Sequence, residues 1–128
     1  MTTNNLDRFL SENDGNFKSE TAREALTALF EKKSISKAAL AKQSGMSEVY
    51  LHQVFSGRRN PSRSRLLCLC FGLSATLEET QELLTQCCLA PLYPRDKRDA
   101  IIIYGLTHDM TLFQVNDKLY AENQETLC

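Results

Sequence analysis

The sequence predicts an all-α protein, and three observations support that class. Apolar and polar residues do not alternate over any stretch long enough to propose a strand. Valine and isoleucine are sparse outside Ile101–Ile103. Residues that favour helix N-termini recur at short intervals, and apolar stripes at helical spacing follow them. The composition, 42% apolar and 24% charged among 128 residues, is typical of a folded globular domain.

The predicted helices follow one another with loops of two to six residues. In order they cover a frayed segment at 4–13, then 19–32, 37–43, 48–56, 63–71, 77–88, 95–108 and 111–123. Hydroxyl side chains are predicted to cap four of them, at Ser36, Ser47, Ser62 and Thr76, and Thr76 has a glutamate three residues later in capping-box spacing. The capping-box spacing of Thr21 and Glu24 marks the helix over 19–32. Glycine is predicted to close three helices, at Gly45, Gly57 and Gly72.

The last third of the chain contains more apolar surface than a small helical domain needs. Residues 89–94 hold two prolines three positions apart and are not expected to be helical. We therefore divide the chain into an N-terminal segment 1–18, a domain 19–90 and a helical extension 91–128. The extension is expected to pack back as a hairpin on the helix that follows Thr76, and secondly to form a two-fold interface between two copies.

Charge is distributed unevenly along the chain, although the net charge is only −1. Residues 32–65 contain eight basic side chains and one acidic side chain, a net charge of +7. The segments on either side are both acidic. This asymmetry indicates a polyanionic partner for the central segment, and a solvated basic surface is the alternative.

Residues 37–56 have the pattern of two helices joined by a tight turn. Ala41 is small at the point where one helix must cross another closely, Gly45 makes the turn, and Leu51 is apolar six residues later. Leu40, Met46, Leu51 and Val54 would be buried between the helices. This arrangement is that of a helix-turn-helix.

The segment resembles the helix-turn-helix of the lambda repressor and Cro family, the Xre-like regulators. The likeness is carried by residues 38–47, by residues 51–57, by the turn at Asn60-Pro61 and by the helix containing Leu66-Leu67. With the helices before and after, it covers about 70 residues. It implies a five-helix domain, here with an extra C-terminal helical hairpin. The function it implies is that of a sequence-specific transcriptional regulator that binds double-stranded DNA, as a possible homodimer.

The resemblance also implies roles for particular residues. The side chains that reach base edges in the major groove would be Ser47, Glu48, Val49 and Gln53. Those on the sugar-phosphate backbone would be Lys37, Tyr50, His52, Arg58, Arg59 and Asn60. The amide of Gln53 suits bidentate recognition of adenine, and the carboxylate of Glu48 suits a cytosine amine.

Other classes of function have less support. No catalytic or phosphate-binding motif is present, so neither an enzyme, a cofactor nor a small-molecule substrate is expected. The five cysteines lack zinc-ligand spacing, and core packing is favoured over oxidant sensing for Cys87-Cys88. No long apolar run or signal segment is present, so a cytoplasmic protein without a membrane partner is expected. The alternative function is a protein-interaction adaptor that binds through Leu112, Phe113 or Tyr120.

Overall fold

The computed structural model describes residues 21–128, and the regular secondary structure in this part of the chain is all helical, with no strand. The all-α prediction is therefore confirmed. The helices are α1 over residues 21–33, α2 Lys37–Ser44, α3 Glu48–Phe55, α4 Arg63–Gly72, α5 Leu77–Gln86, α6 Lys97–Thr107 and α7 Leu112–Ala121. The predicted helix at 4–13 and the predicted helix start near Ser19 lie outside the described residues.

Capping side chains fix where the helices begin, as the sequence predicted. The hydroxyls of Ser36, Ser47 and Ser62 each accept a hydrogen bond from the backbone N–H three residues later. Thr76 forms a full capping box, because the Glu79 carboxylate also accepts from the Thr76 N–H at 2.9 Å. The last two helices begin slightly later than expected, after the N-caps Asp96 and Thr111.

Gly45 ends α2 as predicted, whereas Gly72 allows two helices to pack closely. Gly45 is left-handed, with φ 67°, and its N–H closes the last turn of α2. Gly72 is the last residue inside α4 and is buried. A Cβ built on Gly72 would lie 2.9 Å from Leu40 Cδ1 and 3.0 Å from Ser44 Cβ. The prediction that Gly72 closes α4 is wrong, because its small size lets α4 approach α2, while Ser74 takes the left-handed turn.

One apolar core runs from α1 to the last residues of the chain. The central part of α4 is buried on every side, and α2, α5 and α7 pack against it. Helices α6 and α7 form the predicted hairpin, in which α6 contacts α5 as expected and α7 reaches α4 as well. The hairpin and the helix-turn-helix region therefore share the same buried cluster, which ends at Leu127.

The cysteines do not all pack as predicted. Cys68 and Cys70 are buried, and burial raises the pKa of the Cys70 thiol to about 12. Cys87 is half-buried and packs against the core as predicted, but Cys88 is exposed in the turn after α5, so the prediction of core packing is wrong for Cys88. Cys128 is also exposed. No helix among residues 21–128 has the length and apolar character needed to cross a membrane.

Candidate nucleic-acid interface

Helix α3 presents one face to the core and the opposite face to solvent. Leu51 and Val54 are buried, which fixes the rotation of the helix about its axis. Glu48, Val49 and His52 consequently point outward, and 69% of the Val49 surface is exposed although valine is apolar. An apolar side chain exposed beside polar ones is what contact with a thymine methyl group in a groove would require.

The four predicted base-contacting residues lie on the outward side of α3 or at its start. Ser47 caps the helix, and its hydroxyl accepts from the Tyr50 N–H at 3.1 Å. Glu48 and Val49 follow in the exposed first turn, and Gln53 lies one turn later and is half-buried. No other described residue forms a hydrogen bond with the side-chain amide of Gln53, which carries the donor and the acceptor that a base edge would need.

The loop after α3 folds back on the helix and displays the predicted backbone-contacting residues. The N–H groups of Arg58 and Arg59 donate to the Gln53 carbonyl at 2.9 and 3.2 Å. These bonds hold the loop against the last turn of α3. The side chains of Arg58, Arg59 and Asn60 are exposed beside it.

Arg23 supports the same loop, and the sequence did not single it out. Its guanidinium donates to the Ser56 carbonyl at 3.3 Å, across from α1 to the end of α3. A Cβ built on Gly57 would overlap Arg23 Nη1, so the glycine leaves room for the cation as well as adopting φ 84°. A cation at the C-terminal end of a helix is electrostatically favourable. The signal that could have found Arg23 is three-dimensional, because 33 residues separate the two partners.

Aromatic rings hold two further cations beside α3. Lys37 Nζ lies 5.6 Å from the centre of the Phe55 ring, so this predicted phosphate contact stands near the last turn of α3. The Arg65 guanidinium lies 4.6 Å from the centre of the half-buried Tyr50 ring. Arg65 was counted in the basic segment but was not predicted to contact DNA. Tyr50, Arg59, Asn60, Ser62 and Arg65 together line an open groove next to α3.

The structure refines the charge count of the basic segment, because three of its eight cations pair with carboxylates of the described residues. Lys32 and Lys33 bind the Glu79 carboxylate at 2.6 and 2.8 Å. Arg63 binds Asp99 at 3.0 Å. Within residues 21–128, no carboxylate lies within 4 Å of the other five cations, which are Lys37, Lys42, Arg58, Arg59 and Arg65. Four of these five, all except Lys42, surround α3 or the loop after it.

Within residues 21–128, no three His, Cys, Asp or Glu side chains come close enough to hold a metal ion.

Residues 22–83 match the family model of a helix-turn-helix domain. The match spans α2, α3 and the helices around them, and we call this part of the chain the helix-turn-helix domain. Neither a curated protein nor a solved structure matches the chain.

Proposed function

We propose, from the helix-turn-helix domain at residues 22–83, that the protein is a sequence-specific transcriptional regulator of the lambda repressor and Cro type that acts in the cytoplasm. Its partner would be double-stranded DNA, with α3 in the major groove. The observation that carries the proposal is that the outward face of α3 is exposed while cations that pair with no described carboxylate border it. A helix used only for packing would not require that combination.

Base recognition in this proposal comes from the outward side of α3. The Gln53 amide would bond to the N6 and N7 atoms of an adenine, and Val49 would contact a thymine methyl group. Ser47 lies at the tip of the helix, where its hydroxyl can approach either kind of base. Glu48 would accept a hydrogen bond from a cytosine N4 amine. Its carboxylate would repel a phosphate that it faced, so Glu48 limits the operators that the protein tolerates.

Phosphate contacts would come from the rim of the same surface. We assign them to Lys37, Tyr50, His52, Arg58, Arg59 and Asn60, and we add Arg65 because it stacks on Tyr50 in the adjoining groove. These contacts fix the position of the protein on the duplex and contribute to affinity on every sequence. Each charged contact would add about −0.9 to the slope of log affinity against log salt.

Homodimerisation through the hairpin would give the protein two copies of α3. Phe113 and Tyr120 lie at opposite ends of α7 and on the same exposed side of it, and Tyr120 is 80% exposed. A two-fold dimer binds palindromic half-sites spaced by about one turn of DNA. We therefore expect selected operators to be palindromic.

Selection of bound duplexes from a random library tests the proposal. The full chain should enrich one sequence, and fluorescence anisotropy on that sequence should then separate the two kinds of contact. Gln53→Ala should weaken the selected duplex by about 5- to 150-fold, corresponding to about 1–3 kcal/mol, and leave a scrambled duplex unchanged. Arg58→Ala should weaken both duplexes equally and reduce the salt slope by about 0.9.

Two matched variants serve as controls for those measurements. Gln86→Ala removes an exposed amide from α5, and Arg95→Ala removes an exposed cation before α6. Neither should alter binding. Enrichment of no sequence, or binding that is indifferent to Gln53→Ala and Arg58→Ala together, would count decisively against DNA recognition by α3.

A protein-interaction adaptor is the second candidate function, and the exposed aromatic side chains of the hairpin favour it. Tyr104, Phe113 and Tyr120 are all more than half exposed. Leu112, which the sequence placed with them, is buried and cannot take part. If the protein is an adaptor, Phe113→Ala or Tyr120→Ala should abolish binding of its partner protein, and Arg58→Ala should leave that binding unchanged.

A further inference from the structure

The segment after α7 is held onto the helix-turn-helix domain by several specific contacts. Arg98 on α6 donates to the carbonyls of Glu125 and Thr126 at 2.8 and 3.3 Å. The same guanidinium donates to Ser64 Oγ on α4 at 3.2 Å. Leu127 is buried in the core. One arginine therefore brings the segment 124–128 to the side of α4 that carries Ser64.

Two cysteine thiols meet where this segment lies on α4. Cys68 follows Ser64 by four residues and so lies on the same side of α4, fully buried. The Cys128 thiol is its neighbour, because burial and then Cys128 raise the pKa of the Cys68 thiol. Asn116 on α7 holds the other side of the contact, because its amide oxygen accepts from the Leu127 N–H at 2.8 Å and its amide nitrogen donates to Cys128 Sγ at 3.4 Å.

We propose that Cys68 and Cys128 are a redox-active pair that a hydroperoxide converts to a reversible disulfide, locking the segment 124–128 onto α4. The segment is not helical, so its thiol can close the remaining distance without disturbing a helix. The ring that the bond closes contains α5, α6 and α7, and it joins the helix-turn-helix domain covalently to the hairpin. The proposal does not depend on DNA binding.

The difference in exposure sets the order of the two chemical steps. The thiolate of the exposed Cys128 attacks the peroxide, so that an S–O bond forms, the O–O bond breaks and an alcohol or water leaves after taking a proton. Cys68 then gives up its proton and attacks the Cys128 sulfur, so that the S–S bond forms and the S–O bond breaks with release of water. Two thiols are oxidised by two electrons in all, and one peroxide is reduced. Cys68 is fully buried and out of reach of the peroxide, so it reacts only with the sulfenic acid formed beside it on Cys128.

Treatment of the reduced full chain with hydrogen peroxide, followed by alkylation and mass spectrometry, tests the pair. We expect a monomer two hydrogens lighter, a cross-linked peptide containing Cys68 and Cys128, and recovery of both thiols with a reductant. The unfolding temperature of the oxidised chain should rise by on the order of 10 °C, because the ring restricts the unfolded state.

Three variants define the chemistry. Cys128→Ser changes an exposed residue and should leave Cys68 a free thiol after peroxide treatment. Cys88→Ser, the matched exposed control, should form the cross-link as the parent does. In Cys68→Ala, dimedone should label Cys128 as the sulfenic acid. The proposal is overturned if the peroxide leaves both thiols free, if Cys128 is oxidised without cross-linking to Cys68, or if the bond links two chains or involves Cys87 or Cys88.

Discussion

At the scale of single residues, Glu79 shows how one side chain can join two helices. Its carboxylate completes the capping box of α5 and also binds both lysines at the end of α1. Hydrogen bonds from Lys32 and Lys33, and then from the Thr76 N–H, lower the pKa of Glu79 to about 2. The ionised form is therefore the form that the folded chain stabilises.

We predict that Glu79→Gln lowers the free energy of unfolding by about 1 kcal/mol at pH 7. Because the folded pKa lies below the ordinary value of 4.5, the contribution of the carboxylate is complete above pH 4.5 and is lost as the pH falls toward 2. Urea titrations of parent and variant should thus converge over that window. Glu78→Gln, an exposed change in the same turn, is the control and should lie within about 0.5 kcal/mol of the parent at every pH.

Gly72→Ala should destabilise the chain by about 1–3 kcal/mol, because the added Cβ would press on Leu40 and on the backbone nitrogen of Ser44, at 3.2 Å. Gly45→Ala is the comparison, since its nearest heavy atoms are 3.6 Å away and only the left-handed backbone opposes the change, at about 1 kcal/mol. Urea denaturation of both variants measures the difference. Equal losses, or a stabilised Gly72→Ala, would contradict this account of Gly72.

The two glycines also show what the sequence can and cannot predict about a residue. Each follows an apolar helical stripe, and that local pattern is the same for a helix cap and for a close helix crossing. Gly45 was assigned correctly because its cap depends on neighbours along the chain. Glycine is needed at position 72 because Leu40 and Ser44, about 30 residues earlier, pack against it, and no local pattern reveals that contact.

At the scale of elements, the connection from α5 to α6 is fastened to the start of α4. The Arg63 guanidinium donates to the carbonyls of Ala90 and Pro91 and pairs with Asp99 on α6. Asp99 in turn accepts from the Tyr93 N–H at 3.0 Å. Helix bounds were predictable from caps, but this connection was not, because ion-pair partners distant in sequence depend on how the helices pack.

Arg63→Ala should cost about 2–4 kcal/mol of stability, because Asp99 is left buried without its partner. Lys97→Ala removes a cation from an exposed pair with Glu122 at 3.5 Å and should cost less than about 0.5 kcal/mol. Thermal denaturation followed by circular dichroism checks both values. If Arg63→Ala proves as mild as Lys97→Ala, the arginine is a surface cation, as the sequence first indicated.

At the scale of the whole molecule, the shared core predicts that the helix-turn-helix domain and the hairpin unfold together. In Tyr50→Phe the remaining tyrosines are at 93, 104 and 120, so tyrosine fluorescence reports on the region from 93 onward while circular dichroism reports on every helix. The two signals should share one midpoint. Two separate midpoints would instead support independent folding of the predicted domain 19–90.

Leu119→Ala should lower that common midpoint, at a cost of about 2–5 kcal/mol, because Leu119 is fully buried. Lys118→Ala, an exposed change in the same helix, should leave the midpoint nearly unchanged. Both are read from the same denaturation curves. A loss confined to the tyrosine signal would show that the hairpin melts alone.

The internal pairing of Lys32, Lys33 and Arg63 has a consequence for how the molecule meets a polyanion. Within residues 21–128, most of the cations that have no carboxylate within 4 Å lie around α3 and the loop after it, where Arg58, Arg59 and Arg65 stand. A body charged on one side has a large dipole moment and rotates as it diffuses toward an opposite charge. Most collisions with a polyanion would then begin with this side of the protein facing it. A chain that is slightly negative as a whole could therefore still bind a polyanion quickly.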